Sequence, residues 1–250
     1  MTLPESFLAR PIAHRALHDL SNGRPENSRE AIGAAIDAGY GIEIDLQLSG
    51  DGEAMVFHDY DLARLTGAEG AVAGRSAVEL AGLTLNGGAT GIPTLREVLA
   101  QVAGRVPLLI ELKDQDGALG DGVGPLEAAT AQVLEGYGGD VALMSFNPHS
   151  VARMADLCPH LPRGLTTETF DTVDWPDVSE ARCARLTGIA DYDRVRASFI
   201  SHNRRDLGHP RVADLKAAGA RILTWTIRNP DEERAARRIA EQITFEGYLA

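Results

Sequence analysis

A (β/α)8 barrel is the fold class this sequence predicts, and three observations carry it. Short apolar, β-branched runs alternate with amphipathic helical stretches along the chain. Most of these runs begin apolar and finish in polar residues, the pattern of a parallel barrel whose chemistry gathers at the C-terminal rim of its strands. The chain has 250 residues, a common size for one such barrel. A doubly wound open sheet is the competing architecture, but no Gly-rich dinucleotide turn is present.

The elements follow in order. Residues 11–15 form a short strand, and the Gly-, Asn- and Pro-rich segment 16–27 a loop. Asn27 is the expected N-cap of a helix over 28–38, with Glu30 completing a capping-box pattern and Gly39 stopping it. The stretch 41–59 holds two strand runs joined by a Ser49-Gly50-Asp51-Gly52 turn, with no helix between them. Residues 60–93 are an excursion over one end of the domain and a candidate lid, with one short helix at 76–81. Then come a helix from Pro93 to Ala103 capped by Thr94, a strand at 107–113, a loop at 114–124 and a helix at 125–135. Strands at 140–147, 161–165, 197–202, 220–226 and 242–246 alternate with helices starting at Pro148 and spanning 176–186, 212–218 and 230–240. That is about nine strand candidates for the eight places of a barrel. The irregularity lies around the second and third strands: either one of those runs sits partly outside the barrel, or the last run does not close it. No internal repeat or domain boundary interrupts the series, so residues 1–250 are expected to form a single domain.

Composition narrows the function. An apolar fraction of 44% supports a full core. A formal net charge of −12 argues against a nucleic-acid or anionic-membrane binder, because those surfaces need clustered Lys and Arg. Cys158 and Cys183 have neither metal-type spacing nor a disulfide framework, which suits a reducing compartment. No signal-peptide pattern opens the chain, and no window approaches the roughly 18 apolar residues of a membrane span. The expectation is a soluble cytoplasmic protein without stable membrane association; nothing specifies an oligomeric state.

The polar residues at the strand ends are His14 and Arg15, Glu43 and Asp45, His58 and Asp59, Glu111 and Lys113, Ser145 to Asn147, and Trp225. Alone, a strand-end His is usually structural and a Glu-x-Lys usually an outward ion pair. So many on one rim point to a site. Glu43 and Asp45 are two residues apart, so a strand projects both from one face. With Glu111 they make a hard-oxygen set suited to Mg2+ or Ca2+, with Mn2+ also admissible. His14 and His58 sit on separate strands, and two imidazoles can serve as acid and base near neutral pH. Arg15 and Lys113 are then left to hold an anion, the Arg fork suiting a phosphate. Phe146 and Trp225 are candidates to line such a pocket, or ordinary core aromatics. His18, His149, His160 and His209 have no expected role. A metal, two imidazoles and a cationic clamp describe cleavage of a small phosphodiester.

At these residues the sequence resembles the glycerophosphodiester phosphodiesterases. The matching pieces are Ala13-His14-Arg15, Pro25-Glu26-Asn27-Ser28, Ile42-Glu43-Ile44-Asp45-Leu46, Asp51-Gly52, Val56-Phe57-His58-Asp59 and Arg64-Leu65-Thr66. Further on are Ile92-Pro93-Thr94-Leu95, Ile110-Glu111-Leu112-Lys113, Ser145-Phe146 and Trp225-Thr226. The resemblance implies a TIM barrel, a divalent cation on Glu43, Asp45 and Glu111, and acid–base roles for His14 and His58. It also implies hydrolysis of a glycerophosphodiester to sn-glycerol 3-phosphate and an alcohol, through attack of the substrate's own glycerol hydroxyl on phosphorus. Two other readings are weighed against it: a phospholipase-D-like or cyclising lyase acting on a lipid, and an inactive module that binds a phosphorylated ligand.

Three positions depart from the family's pattern. Ala16 replaces the usual Gly after His-Arg, which is expected to alter the loop beside the phosphate. The customary Thr-Asp near the C-terminus becomes Thr244-Phe245-Glu246, so the closing end of the pocket is changed. The run Ser201-His202-Asn203-Arg204-Arg205 has no place in the common pattern and is expected to be a solvated loop, with extra phosphate contacts as the alternative.

Overall fold

A computed structural model describes residues 2–250. Its strands are β1 (Ile12–Ala13), β2 (Gly41–Leu48), β3 (Ala54–Val56), β4 (Leu108–Leu112), β5 (Val141–Ser145), β6 (Arg163–Thr167), β7 (Phe199–Asn203), β8 (Arg221–Ile227) and β9 (Gln242–Phe245). The helices are α1 (Ser6–Ala9), α2 (Arg29–Ala38), α3 (Ala63–Thr66), α4 (Ala77–Ala81), α5 (Leu95–Val102), α6 (Pro125–Leu134), α7 (Pro148–Leu157), α8 (Glu180–Thr187), α9 (Pro210–Ala217) and α10 (Pro230–Ala236).

All strands but β3 are parallel and close on themselves, because β1 pairs with both β2 and β9. The result is a (β/α)8 TIM barrel. β3 pairs antiparallel with β2 alone, Leu46 facing Val56 and Leu48 facing Ala54. The surplus run is therefore the one at 54–56, and the C-terminal run does close the barrel. The Ser49–Gly52 turn explains this: Ser49 Oγ accepts from the Glu53 amide at 2.8 Å and donates to Asp51 at 2.6 Å. A turn that tight returns the chain antiparallel, whereas a parallel crossover needs a dozen residues or more.

Helix caps account for several boundaries. Ser28, not Asn27, caps α2, taking the Ala31 amide at 3.1 Å, while Asn27 turns inward to the site. Ser179 caps α8, so that helix begins at Glu180 rather than near Pro176. Thr94 and Glu97 form a full capping box on α5, as Ser76 and Glu79 do on α4. The α1 turn had no sequence signal. It carries Phe7, which with Leu3 packs against Ile12, Leu109, Ala142, Phe199 and Leu223 at the N-terminal end of the barrel interior. Gly164 faces the same space: a Cβ there would lie 2.3 Å from the Phe199 ring, so only glycine admits that aromatic. Residues 60–93 pack as a separate cluster around Leu62, Leu65, Leu80 and Ile92, together with Met55 and Phe57.

Barrel interiors alternate in layers, so the apolar floor of Leu109, Ala142 and Phe199 implies a second tier two residues later on each strand. That tier contains Glu111, Met144 and Ser201: Met144 still packs with the floor, while Glu111 and Ser201 are polar where the first tier was apolar.

Candidate active site

The second tier and the loops above it enclose a cavity of about 190 Å3. His14, Arg15, Glu43, Asp45, His58, Glu111, Lys113, Phe146 and Trp225 all line it. Register does most of the gathering. In the β2–β4 pair Asp45 lies beside Glu111, and Glu43 lies one inward step below on the same face.

Glu43, Asp45 and Glu111 are buried, at 1%, 2% and 5% exposure, and offer oxygens within 4.8 Å of one another. Burial drives the Glu43 carboxyl well above its ordinary range, and the neighbouring charges of Asp45 and Glu111 push it further. Asp45 behaves oppositely. Burial would raise it, but the cationic fields of Lys113, His58, Arg15 and His14 outweigh that and hold it well below the carboxylate range. Lys113 Nζ bridges Glu111 Oε1 at 2.7 Å and Asp45 Oδ1 at 3.3 Å. Asn27 Nδ2 donates to Asp45 at 2.9 Å. The Arg15 amide donates to Glu43 Oε2 at 2.8 Å. Three buried carboxylates beside two cations leave an excess of negative charge, and Glu43 bears its cost. Hard oxygen donors this close together fit a divalent cation, which would relieve that repulsion.

Both imidazoles line the same cavity and are held in the same arrangement. His14 Nδ1 is 2.6 Å from Glu246 Oε2, and His58 Nδ1 is 2.7 Å from Asp59 Oδ1. A carboxylate on Nδ1 fixes the ring and its tautomer, leaving Nε2 for exchange. Burial, the largest influence on His14, lowers its pKa and outweighs the raising effect of Glu246. Glu246 is itself held low despite burial by its hydrogen bond with His14 and by the Arg228 charge. Arg228 Nη2 binds its other oxygen at 2.8 Å.

Several of these partners were not assigned from sequence. Glu246 belongs to the changed closing end of the pocket, and its carboxylate holds His14. His18, given no role, lies with Nε2 3.6 Å from Glu246. Glu26 was legible only as part of a motif. It receives Arg15 at 2.7 Å and Arg64 at 2.8 Å, tying the excursion to the first loop. Ala16 has φ 66°, within the region glycine would occupy, so the loop keeps a glycine-like turn despite the substitution. The run 201–205 is not a solvated loop. Its first three residues complete β7: Ser201 lines the cavity, while His202 is buried facing outward, with Nδ1 2.8 Å from Thr167 Oγ1. His209 caps α9 through the Arg211 amide.

A parallel barrel with imidazoles, buried carboxylates and cations gathered at its C-terminal rim has the make-up of a phosphoric diester hydrolase. Comparison with known proteins gives the particular family. The chain matches the glycerophosphoryl diester phosphodiesterase family over residues 14–243, and it belongs to that family. A glycerophosphodiester phosphodiesterase of Caldanaerobacter subterraneus subsp. tengcongensis is 33% identical over 234 residues, covering 89% of this chain and 88% of the relative. Among solved structures, an Oleispira antarctica phosphodiesterase bound to its product sn-glycerol-3-phosphate superposes with a TM-score of 0.76 at 25% identity, covering 96% of this chain and 94% of that one. The glycerophosphodiester phosphodiesterase of Thermotoga maritima shares the fold, with a TM-score of 0.71 at 23% identity and 94% coverage of both chains.

Proposed function

We propose that this protein hydrolyses glycerophosphodiesters to sn-glycerol 3-phosphate and an alcohol, with a divalent cation held by Glu43, Asp45 and Glu111 and with His14 and His58 moving the protons. The observation that carries this reading is one cavity lined by a pair of carboxylate-held imidazoles, three buried acids, Arg15 and Lys113. Membership of the family supports the substrate class, and the product bound to the Oleispira antarctica relative supports the phosphomonoester released.

The cation, Mg2+, Ca2+ or Mn2+, would supply Lewis-acid stabilisation of charge on the phosphoryl oxygens. The protein's own residues do the rest. Arg15 and Lys113 hold the diester anion. His14, kept neutral by burial, takes the proton from the substrate's free 2-hydroxyl as that oxygen attacks phosphorus. The P–O bond to the alcohol breaks, and His58 donates the proton that the departing oxygen needs. Water then opens the cyclic phosphate with the two roles reversed: His58 accepts the water's proton and His14 returns one to the 2-oxygen. Phosphorus is never oxidised or reduced, and the histidines end as they began.

The test is a panel of glycerophosphocholine, glycerophosphoethanolamine, glycerophosphoglycerol and bis(p-nitrophenyl) phosphate, each with Mg2+, Ca2+ or Mn2+ and again with EDTA. Hydrolysis of at least one glycerophosphodiester, abolished by EDTA, is expected. Failure on all of them with every cation sinks the proposal.

A further inference from the structure

Beside the first cavity lies a larger one of about 550 Å3, which shares His58, Glu111, Lys113, Phe146 and Trp225 with it. It opens on the His58 side: His14 does not line it. Its walls combine two chemistries. Aromatic faces come from Tyr60, Phe146, Trp175 and Trp225, with Phe146 5.3 Å from Trp175 and 5.5 Å from Trp225 between ring centroids. The Trp175 indole is anchored by its N–H on Glu168 at 2.9 Å, which fixes the ring plane. The other wall bears the carboxylates of Asp61, which is exposed, and Asp114, whose oxygens accept from Asn147 Nδ2 at 2.6 Å and the Leu119 amide at 3.1 Å; these donors are neutral, so both carboxylates keep their charge without a cationic partner. Lys113 is the one basic side chain other than His58 that lines the cavity; it is committed to Glu111 and Asp45 and lies 6.0 Å from the Phe146 centroid, which leaves Tyr60, Trp175 and Trp225 as the open aromatic faces.

Aromatic faces joined to unneutralised carboxylates describe a receptor for an alkylammonium cation, whose methyl groups contact the rings while its charge meets both the π faces and the acids. An acyl chain would gain from the rings but would strand the carboxylates against hydrocarbon. A second anion would be repelled. We infer that this cavity is the subsite for the departing alcohol and that it selects a quaternary ammonium group of the choline type. The inference rests on the diesterase reading for the word "departing"; the recognition of the cation does not. It also explains why His58 is placed to protonate the leaving oxygen.

The protein's two tryptophans, Trp175 and Trp225, both line this cavity, so intrinsic fluorescence reports its occupancy without any turnover. Titration of the intact chain with choline is expected to give a saturable change. The neutral isostere 3,3-dimethyl-1-butanol should bind at least about 10-fold more weakly. Tyr60→Ala and Asp61→Asn, at the open edge of the cavity, should each weaken choline several-fold. In turnover, glycerophosphocholine should exceed glycerophosphoglycerol in kcat/KM by about 10-fold, a ratio Tyr60→Ala reduces, and lysophosphatidylcholine should not outcompete it. Equal response to choline and its neutral isostere, or none to either, overturns the subsite. So does a lack of choline preference while other glycerophosphodiesters are hydrolysed, and in that case the diesterase reading stands.

Discussion

His14 Nδ1 lies 2.6 Å from Glu246 Oε2, and the same geometry recurs across the cavity, where His58 Nδ1 lies 2.7 Å from Asp59 Oδ1. The two carboxylates come from very different places. Asp59 is the next residue in the chain, whereas Glu246 follows the last strand and reaches His14 only because β9 closes the barrel against β1. The His58–Asp59 dyad is local, and the His14–Glu246 dyad depends on the whole fold.

Glu246→Gln should therefore lower kcat by about 10- to 100-fold through loss of ring orientation, with KM within a factor of about three. Steady-state kinetics on glycerophosphocholine check this. An unchanged kcat would show that His14 does not need Glu246.

His14→Ala and His58→Ala should each cost at least about 100-fold in turnover, the usual worth of one acid–base group. Their circular dichroism and Tm should stay close to wild type. A variant with near wild-type rate would remove that histidine from the mechanism.

Cation binding should raise Tm. Saturation at 100 times Kd adds about 2.7 kcal/mol, worth several degrees in a chain of this size. Glu43→Gln should abolish that gain and weaken cation binding by calorimetry. It should also stabilise the cation-free protein, since it removes a buried carboxyl whose ionisation the site opposes. A full thermal shift retained in Glu43→Gln would refute its ligand role.

His202 gives a pH signature away from the catalytic groups. Burial pushes its pKa down to about 4 from 6.5. Between those values the unfolded chain binds a proton that the folded one does not, so stability rises with pH across the window and falls as pH drops from 6.5 towards 4. Fully expressed, the slope is about 1.4 kcal/mol per pH unit. Urea unfolding of wild type against His202→Gln should show the difference shrinking as pH falls. A pH-independent difference would mean His202 titrates alike in both states.

The barrel was legible in the sequence because each strand carries its own apolar run and its own polar end, and these signals are local. So were the three acids, whose two-residue spacing and strand context already imply one face. What escaped was long-range. Glu246 could not be matched to His14 from spacing, because 232 residues separate them and only barrel closure joins them. Asn27 looked like a cap because its type suits one, but Ser28 supplies the oxygen and Asn27 serves Asp45. The run 201–205 overlaps the end of the strand expected at 197–202 and reads as solvated because polar residues dominate it, yet Asn203 completes β7 and Ser201 lines a polar cavity. The cavity beside His58 had no sequence signal, since its aromatic walls come from separate loops and strands.

The central claim is that two carboxylate-held imidazoles around a cation convert a glycerophosphodiester into a phosphomonoester. 31P NMR of glycerophosphocholine with the wild-type protein tests it in one tube. With Mg2+, Ca2+ or Mn2+ present, the diester resonance should be replaced by that of glycerol 3-phosphate; EDTA should stop the conversion and His14→Ala should slow it at least about 100-fold. A diester signal that persists with every cation, or that disappears equally fast in EDTA, contradicts the account.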